Sequence, residues 1–289
     1  MSNNFLGVTF ALIALFSWGF GDFFIQRSTR VIGVWKSLFY NDLIAIFLIT
    51  PFVYKELGNL NFNNIALFLL ISIVGIFAAL FDFTALKQGK IAIVEPLLGI
   101  ELPITVILGL TIAHEKLTII QLILIALVFI GVLLAITSRN KNNYRHRVFE
   151  RGVIFAGLGA IAMAFINFLV GVSSQTSSPL MTIWFFSVIP AIICSIYLGL
   201  KGELKTFKSD FKNHFKVIFK QSVVDNLAWV AYAFSTTYIP IAIATTISES
   251  YIAIAVFLGI FVNREKLRPY QVVGVILAII GVITLSLNS

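Results

Sequence analysis

The sequence has few charged residues, one cysteine and three histidines, and each shortage excludes a class of protein. Only 12% of its 289 residues are charged and 59% are hydrophobic, whereas a typical globular domain is about 25% charged. Polar side chains are too few to cover a soluble surface, so most of the surface must face lipid. The single Cys194 excludes an intrachain disulfide. The histidines fall in predicted connectors, so we expect no Cys/His metal cluster.

Motifs for catalysis and nucleotide binding are also missing. No glycine-rich segment ends in the Lys-Ser or Lys-Thr pair that holds the phosphates of ATP, so ATP-driven pumping is not supported. No Ser/His or paired-Asp arrangement has the context that intramembrane hydrolysis requires. We therefore expect neither an enzyme nor a cofactor. The net charge of +8 does not indicate nucleic acid, because the basic residues lie in short connectors between apolar stretches.

Ten apolar stretches are each long enough to cross a bilayer, which takes roughly 20 residues in a helix. The alternating segments of a β-barrel are absent, so the stretches predict an all-α integral membrane protein with ten transmembrane helices. The first stretch is expected to be a permanent helix, because Met1–Asn4 lacks the basic residues of a signal peptide. The predicted spans lie near residues 5–26, 34–54, 64–84, 89–111, 117–137, 152–172, 180–200, 217–236, 239–262 and 268–287.

The basic residues fall on one side of the predicted membrane. Ten spans divide the connectors into two sets, and one set holds all of the 21 Lys and Arg residues except Lys55 and Lys116. The positive-inside rule places that set in the cytoplasm and both termini outside. A missed span in the middle would mix the two sets, so the asymmetry supports the count of ten. We expect a multi-pass protein of the plasma or inner cell membrane.

The sequence repeats itself, with an offset of 150 residues in its later spans and 145 in its opening helices. Ile91–Ile93 matches Ile241–Ile243, and Gly7–Val8 matches Gly152–Val153. Each half has five predicted spans, and an odd number gives two inverted five-helix repeats. Inverted repeats place a substrate site near the midplane, where the halves meet. The predicted domains are a first repeat over 1–137, a basic connector over 138–151 and a second repeat over 152–289.

Several motifs of the repeat resemble a known family. Glu115–Leu117 and Glu265–Leu267 both read Glu-Lys-Leu, each followed by a glutamine and a glycine, and Trp18–Gly19 lies in the first span. With the five-plus-five layout, these resemble the EamA-type carriers of the drug/metabolite transporter superfamily. The resemblance implies a carrier of small metabolites, often an exporter, with a cavity lined by the first, third and fourth helices of each half. The second half departs from the first in having Ala253 at the position of Pro103.

Seven of the 13 acidic residues fall inside predicted spans, and no Lys or Arg lies deep in one. An ionisable group within a bilayer costs several kcal/mol, so such residues normally face a cavity or a partner. Carboxylates without basic partners suit a cation or a proton and repel an anion. The seven are Asp22, Asp42, Asp82, Glu95, Glu101, Asp225 and Glu249.

The fourth span of each half carries the leading candidates for binding substrate or protons. Glu95 corresponds to Thr245 and Gly99 to Glu249, and residues four apart share a helix face. Thr245, Ser248 and Glu249 therefore form one polar stripe that we expect to line the pathway. The alternative for Glu95 is a hydrated residue at the membrane surface, and for Glu249 a structural hydrogen bond.

Glu101 is a candidate for proton coupling, because it lies inside the fourth span without a basic partner. It corresponds to Tyr251 in the second half and precedes Pro103, which removes a backbone donor and can kink the helix. The alternative is a protonated carboxyl bonded to a neighbouring helix. Tyr251 joins the candidate site as its repeat equivalent.

The remaining candidates lie on the first three spans of each half. Asp82 corresponds to Tyr232 and Asp225 to Gly75, while Asp42, on a second span, ranks lowest because the family fold places that helix away from the cavity. Surface pairing is the alternative: Asp82 with Lys87 or Lys90, Asp225 with Lys220 or Gln221, and Asp22 with Arg27.

Four aromatic residues lie on spans that the resemblance assigns to the cavity, namely Trp18, Trp229, Tyr232 and Tyr251. A cation over an aromatic face gains about 0.5–2 kcal/mol. An interfacial belt or plain packing is the alternative for the two tryptophans. The paired Glu115 and Glu265 precede fifth spans, where a carboxylate stabilises a helix N-terminus, and we expect them to be structural anchors.

These observations predict a secondary active transporter that exports a small cationic or zwitterionic metabolite in exchange for protons by alternating access. The alternative is a carrier of a neutral or aromatic metabolite such as an amino acid, with the acids used only for coupling or packing. A receptor or assembly subunit fits less well, because it needs neither internal symmetry nor buried acids. The expected partners are substrate, lipid and protons, without nucleic acid, and the chain fits a monomer or a homodimer.

Overall fold

The computed structural model describes residues 3–59, 62–89, 94, 97–136, 151–251 and 269–288, which contain ten α-helices and no strand. The first half has α1 (Asn3–Ile32), α2 (Val34–Val53), α3 (Phe62–Gln88), α4 (Glu101–Thr111) and α5 (Ile119–Ile136). The second half has α6 (Arg151–Thr176), α7 (Pro179–Leu200), α8 (Phe207–Tyr238), α9 (Ile241–Ser248) and α10 (Pro269–Leu287). Short 3₁₀ turns lie at Glu56–Asn59 and Glu203–Thr206.

The helices have the length and surface that a bilayer requires. Six of them, α1, α2, α3, α6, α7 and α10, are long and apolar enough to cross a membrane, and α4 and α5 are shorter apolar helices. Large apolar side chains such as Phe47, Ile123 and Ile283 point outward, where only lipid can cover them. The all-α membrane architecture of ten helices in two repeats is therefore confirmed.

The helices pack in pairs that follow the repeat. The first helix of each half packs against the third helix of the other half, so α1 lies on α8 and α6 lies on α3. The second helices, α2 and α7, pack together, as do the fourth helices, α4 and α9, and the fifth helices, α5 and α10. Every one of these contacts has its counterpart after exchange of the halves, as a pseudo-two-fold relation requires.

Glycines bring the fifth helices close together at equivalent positions. A Cβ added at Gly131 would lie 2.6 Å from Ala278 N, and one added at Gly281 would lie 2.6 Å from Val128 Cγ2. Gly131 and Gly281 are the glycines of the matched Ile-Gly-Val motifs. Small residues at such positions let transmembrane backbones approach, which explains why both halves retain glycine there.

The fourth span of each half is broken at the same place, where continuous helices over 89–111 and 239–262 were predicted. Turns occupy Gly99–Ile100 and Glu249–Ser250, which are 150 residues apart. In each turn a backbone N–H reaches back three residues, from Ile100 to Leu97 O and from Ser250 to Ile247 O, both at 3.3 Å.

Proline explains only the first of these breaks. Pro103 lacks the N–H that would bond to Gly99 O four residues earlier, so the helical ladder is interrupted there. The second half has Ala253 at that position and is broken all the same. Residues 252–262 of the ninth predicted span lie outside the described residues, as do Glu95, Lys90, Glu265 and the connector up to residue 150.

Two further details correct the predictions. Glu115 was expected to stabilise the start of its own following helix, but its carboxylate accepts hydrogen bonds from Ile241 N and Ala242 N, at the start of α9 in the other half. His114 has a positive φ of 52°, which reverses the chain and points Glu115 at α9. The second concerns α8, which begins ten residues before its predicted span and bends at His214 (φ −121°, ψ 18°).

Candidate functional site

A cavity of about 60 Å³ lies between the two halves. Residues of α1, α2 and α3 from the first half and of α6, α7 and α8 from the second half line it. The turns that break the fourth spans close one part of its wall, through Leu98, Glu101, Glu249 and Tyr251. The fifth helices pack on each other away from it. The second helices do contribute, through Asn41 of α2 and Pro190 of α7, which corrects the lining that the family resemblance implied.

Five of the seven acids predicted from the sequence line this cavity: Asp22, Asp82, Glu101, Asp225 and Glu249. Four of them are buried, with 3–7% of their surface exposed, and Asp22 is half-buried. When ionised, these groups repel one another across the cavity, because Asp22, Asp225 and Glu249 all lie close enough for their charges to act on Asp82. No Lys, Arg or His lines the cavity among the described residues. The site is therefore a concentration of carboxyl groups inside the membrane-spanning core.

Side-chain amides hold two of the carboxylates in place. Asn41 Nδ2 donates to Asp225 Oδ2 at 2.8 Å, and Asn167 Nδ2 donates to Glu249 Oε1 at 3.1 Å. Asn226 Nδ2 in turn donates to Asn41 O at 3.1 Å. The bond between Asn41 and Asp225 joins the two halves, so the packing of the halves fixes the position of the Asp225 carboxylate.

Of the predicted polar stripe, Glu249 lines the cavity, whereas Thr245 and Ser248 do not. Tyr232 OH and Thr245 Oγ1 share a hydrogen bond of 2.8 Å, and Tyr232 OH also donates to Asn167 O at 3.0 Å. Ser248 Oγ donates back to Ala244 O at 2.8 Å. Tyr232, Thr245 and Ser248 therefore lie behind the lining, where the first two steady the backbone of Asn167, which binds Glu249.

Aromatic rings form the wall opposite the acids of the first half. Trp18 lies edge-on to Trp229 with ring centroids 5.2 Å apart, and it is tilted against Tyr251 at 6.3 Å. Phe186 packs on Trp229 at 5.0 Å. All four rings line the cavity, and Tyr232 packs behind Trp18 at 5.6 Å. A ligand in the cavity thus meets carboxylates and ring faces together.

The alternative to a functional site was that Asp82 and Asp225 pair with nearby lysines. The described residues contain no such pair. In the part of the chain that it describes, the two ion pairs both involve Lys36, with Asp210 at 2.8 Å and Glu203 at 3.8 Å. Lys220 lies over the ring of Phe24, 5.6 Å from its centroid. The carboxylates of Asp82 and Asp225 thus line the cavity, where Asn41 binds that of Asp225. Lys90, the other predicted partner of Asp82, lies outside the described residues.

Asp42 is the buried acid that the cavity does not use. It has 5% of its surface exposed and lies next to Asn41 in sequence, but on another face of α2. Its Oδ2 has no hydrogen-bond partner within the described residues. The low rank given to Asp42 agrees with this position.

The lining residues that the sequence analysis missed include Asn41, Asn167 and Phe186. The repeat could have pointed to two of them, because the offset of 145 pairs Asp22 with Asn167 and Asn41 with Phe186. Both members of each pair line the cavity. An acid on one half of an inverted repeat is therefore a useful signal for its uncharged equivalent on the other.

Comparison with known proteins agrees with this architecture. A family model described as the EamA-like transporter family matches the chain twice, over residues 5–137 and 150–287. The chain belongs to the EamA-like transporter family. As an EamA-like transporter it is a multi-pass membrane protein of the drug/metabolite transporter superfamily, whose members move small molecules across membranes.

Solved structures share the fold of this EamA-like transporter. One crystal structure, described only as that of a protein, superposes with a TM-score of 0.70 over 98% of each chain at 10% sequence identity. At that identity the likeness shows the fold alone. No curated protein matches the chain in sequence.

Proposed function

We propose that this transporter exports a small organic cation in exchange for protons. The observation that carries the proposal is the convergence of five carboxyl groups on one cavity whose described lining has no basic side chain. Placing that much negative charge inside a membrane protein is unfavourable unless a cation or protons balance it. An anion would be repelled by the same groups.

Free energy links the two proposed ligands. Neighbouring carboxylates destabilise one another when all are ionised, so bound protons relieve the repulsion when the cavity holds no cation. A cation that enters does the same and releases protons. Since a carboxyl group binds either the proton or the cation, exchange of one for the other couples their fluxes. Protons that move down their gradient into the cell would then drive the cation outward.

The neighbouring amides favour a simple cation over a zwitterion. A zwitterion also needs donors for its own carboxylate, and the lining amides of Asn41 and Asn167 already donate to Asp225 and Glu249. The aromatic wall of Trp18, Phe186, Trp229 and Tyr251 offers ring faces to an ammonium group. Such contacts are worth about 0.5–2 kcal/mol, and more where water is excluded.

A second candidate is a neutral or aromatic solute, and the same aromatic wall favours it. In that case the rings would supply the binding free energy, and the acids would serve only for proton coupling or packing. The two candidates differ in what the charge of the ligand does. A charged ligand loses most of its affinity when a cavity carboxylate is neutralised, and a neutral ligand does not.

Ligand-induced thermal stabilisation of the detergent-purified protein separates these candidates. Small alkylammonium ions, uncharged alcohols of the same shape and carboxylates of the same size would be compared at mildly acidic and mildly alkaline pH. At 100 times its Kd, a ligand that binds only the folded state stabilises it by about 2.7 kcal/mol. We expect stabilisation by the ammonium ions alone, and more strongly at alkaline pH.

Stabilisation by the alcohols at either pH would instead support the neutral solute. Glu56→Gln is the matched control, since it removes one carboxylate from an exposed connector. Its ammonium affinity should equal that of the wild type. A loss in this variant would mean that the net charge of the protein, and not the cavity, decides the affinity.

A further inference from the structure

The two broken fourth spans bring one acid from each half to the same point. Glu101 is the first residue of α4, directly after the turn at Gly99–Ile100, and Glu249 follows the last residue of α9, at the start of the equivalent turn. Both are buried, with 5% and 3% of their surface exposed. Both line the cavity, and their carboxyl groups contact each other where α4 packs against α9.

A hydrogen bond between two carboxyl groups requires a proton on one of them, because an ionised carboxylate only accepts. Two ionised carboxylates in contact would repel each other instead. The contact is therefore favourable only if the pair holds at least one proton, and with one proton the pair carries a single negative charge.

The partners of Glu249 indicate which carboxyl carries the proton. Its Oε1 accepts the N–H of Asn167, and its Oε2 is buried without any fixed N–H or O–H donor within the described residues. A carboxylate that accepts a hydrogen bond from an amide is stabilised in its ionised form, so it is the member of the pair that stays ionised. Glu101, whose described contacts give its carboxyl no amide donor, is then the protonated member that donates to Glu249.

We propose that Glu101 and Glu249 form a one-proton clasp between the two halves, and that this proton is the one exchanged for the cation. The proposal rests on the proposed function. It divides the cavity into two parts, in which the Glu101–Glu249 pair holds the proton and Asp225, fixed by Asn41, lies with Trp229 to hold the ammonium group. A bound cation makes the doubly ionised pair tolerable, so the proton leaves as the cation enters.

Several titratable groups face this pair and set its surroundings. Asp22 of α1, Asp82 of α3, Asp225 and Tyr232 of α8, and Tyr251 after the second turn all lie near it. The acids among them add negative charge and favour retention of the proton until a cation arrives.

Infrared spectroscopy of the ligand-free protein tests the clasp without any substrate. A protonated carboxyl group gives a C=O band distinct from that of a carboxylate. We expect one such band to disappear in Glu101→Gln and, equally, in Glu249→Gln, because a glutamine at either position donates to the remaining carboxylate and removes the need for the proton. Asp225→Asn should keep the band. A band that survives both glutamine variants, or that only one of them removes, would overturn the shared proton.

Proton release on cation binding then tests the exchange. In weakly buffered detergent solution, saturation with an alkylammonium ion should release about one proton per ion from the wild type and from the exposed-connector control Glu56→Gln, and none from Glu101→Gln. Release that is unchanged in Glu101→Gln and Glu249→Gln would contradict the exchange at this pair. If no cation binds but the infrared band behaves as expected, the clasp stands and the proposed function fails. If a cation binds and releases protons but the infrared band does not behave as expected, the proposed function stands and the clasp fails.

Discussion

The two halves of the chain share one helical plan but bring different side chains to the cavity. Pairs of equivalent positions occupy equivalent places in the packing, yet no cavity acid has an acid as its repeat equivalent. The pairs are Asp22 with Asn167, Gly75 with Asp225, Asp82 with Tyr232, Gly99 with Glu249, and Glu101 with Tyr251. The backbone is therefore nearly symmetric while the site is not.

This difference shows which parts of the repeat serve the fold and which serve binding. Fold positions such as Gly131 and Gly281 keep their residue type in both halves, because both must admit a close helix. Site positions have diverged, so the first half supplies three cavity acids and the second half supplies two acids and most of the aromatic wall. Neither half lines the cavity alone, because the cavity lies where the two halves meet.

The largest expected effect is on stability, from alanine substitution at the equivalent glycines Gly131 and Gly281. The loss of stability should differ between the two positions. In Gly131→Ala the new Cβ meets backbone, Ala278 N at 2.6 Å, whereas in Gly281→Ala it meets the movable side chain of Val128. We expect the first variant to lose about 2–3 kcal/mol of unfolding free energy and the second about 1 kcal/mol. Denaturation in detergent checks this, with Gly157→Ala as the control, since nothing lies within 4 Å of a Cβ there. Equal losses would mean that the two contacts are equally adaptable.

Removal of a cavity charge should weaken cation binding next most strongly. Asp225→Asn takes away a carboxylate that Asn41 holds in the cavity, and the loss of a charged interaction costs about 10- to 100-fold in affinity. Asp42→Asn removes a buried carboxylate that lies one residue from Asn41 but outside the lining, so its loss should be much smaller. Titration calorimetry with an alkylammonium ion measures both. Similar losses would assign the effect to general charge and not to the cavity.

The aromatic wall should contribute less than the charge. Trp229→Leu removes the ring that packs on Trp18 and Phe186, and we expect cation affinity to fall about 2- to 30-fold. Trp184→Leu is the matched control, because that tryptophan binds Thr50 and Phe185 away from the cavity. The same titration checks both variants. A fall in Trp184→Leu as large as in Trp229→Leu would point to disturbed packing instead of a lost ring face.

The smallest effect concerns the pH dependence of stability at two connectors. Burial raises the pKa of Glu115 even though two backbone N–H groups donate to it, so its contribution is full at acid pH and is lost as pH rises through the folded pKa. For Asp210, slight burial is outweighed by hydrogen bonds from Lys36 and Thr206 that hold its pKa below the usual range. Its contribution is present above the unfolded pKa and is lost as pH falls through the folded pKa.

Thermal unfolding over a range of pH checks both signs. Glu115→Gln should flatten the decline in stability on the alkaline side of its transition, and Asp210→Asn should flatten the decline towards acid. Changes of the same sign in the two variants would contradict these assignments.

Much of the fold could be predicted because it follows from composition and spacing. Apolar length predicted the ten spans, and the matched motifs predicted the two repeats. Five of the seven acids predicted within the spans line the cavity, as the cost of charge in a bilayer leads one to expect. The sequence could not set the rotation of α2 about its axis, which places Asn41 in the cavity and its neighbour Asp42 outside it.

Contacts between the two halves could not be predicted from local sequence patterns. Nothing near Glu115 in sequence indicates that it binds the start of α9, because that contact joins residues 126 positions apart. Likewise, no proline near the turn at Glu249–Ser250 could have predicted it from the sequence. The turn lies where α9 packs against α4. These are the contacts that bring Glu101 and Glu249 together.

Transport by the reconstituted protein tests the account most directly. Vesicles that contain the purified transporter and a pH-sensitive dye would be loaded with a quaternary alkylammonium ion, which has no N–H proton to leave behind, and diluted into cation-free medium. We expect efflux of the cation to drive protons inward and acidify the interior in wild-type vesicles, and proton movement to be absent with Glu101→Gln. Cation efflux without acidification in the wild type, or acidification unchanged by Glu101→Gln, would contradict proton exchange at the acidic cavity.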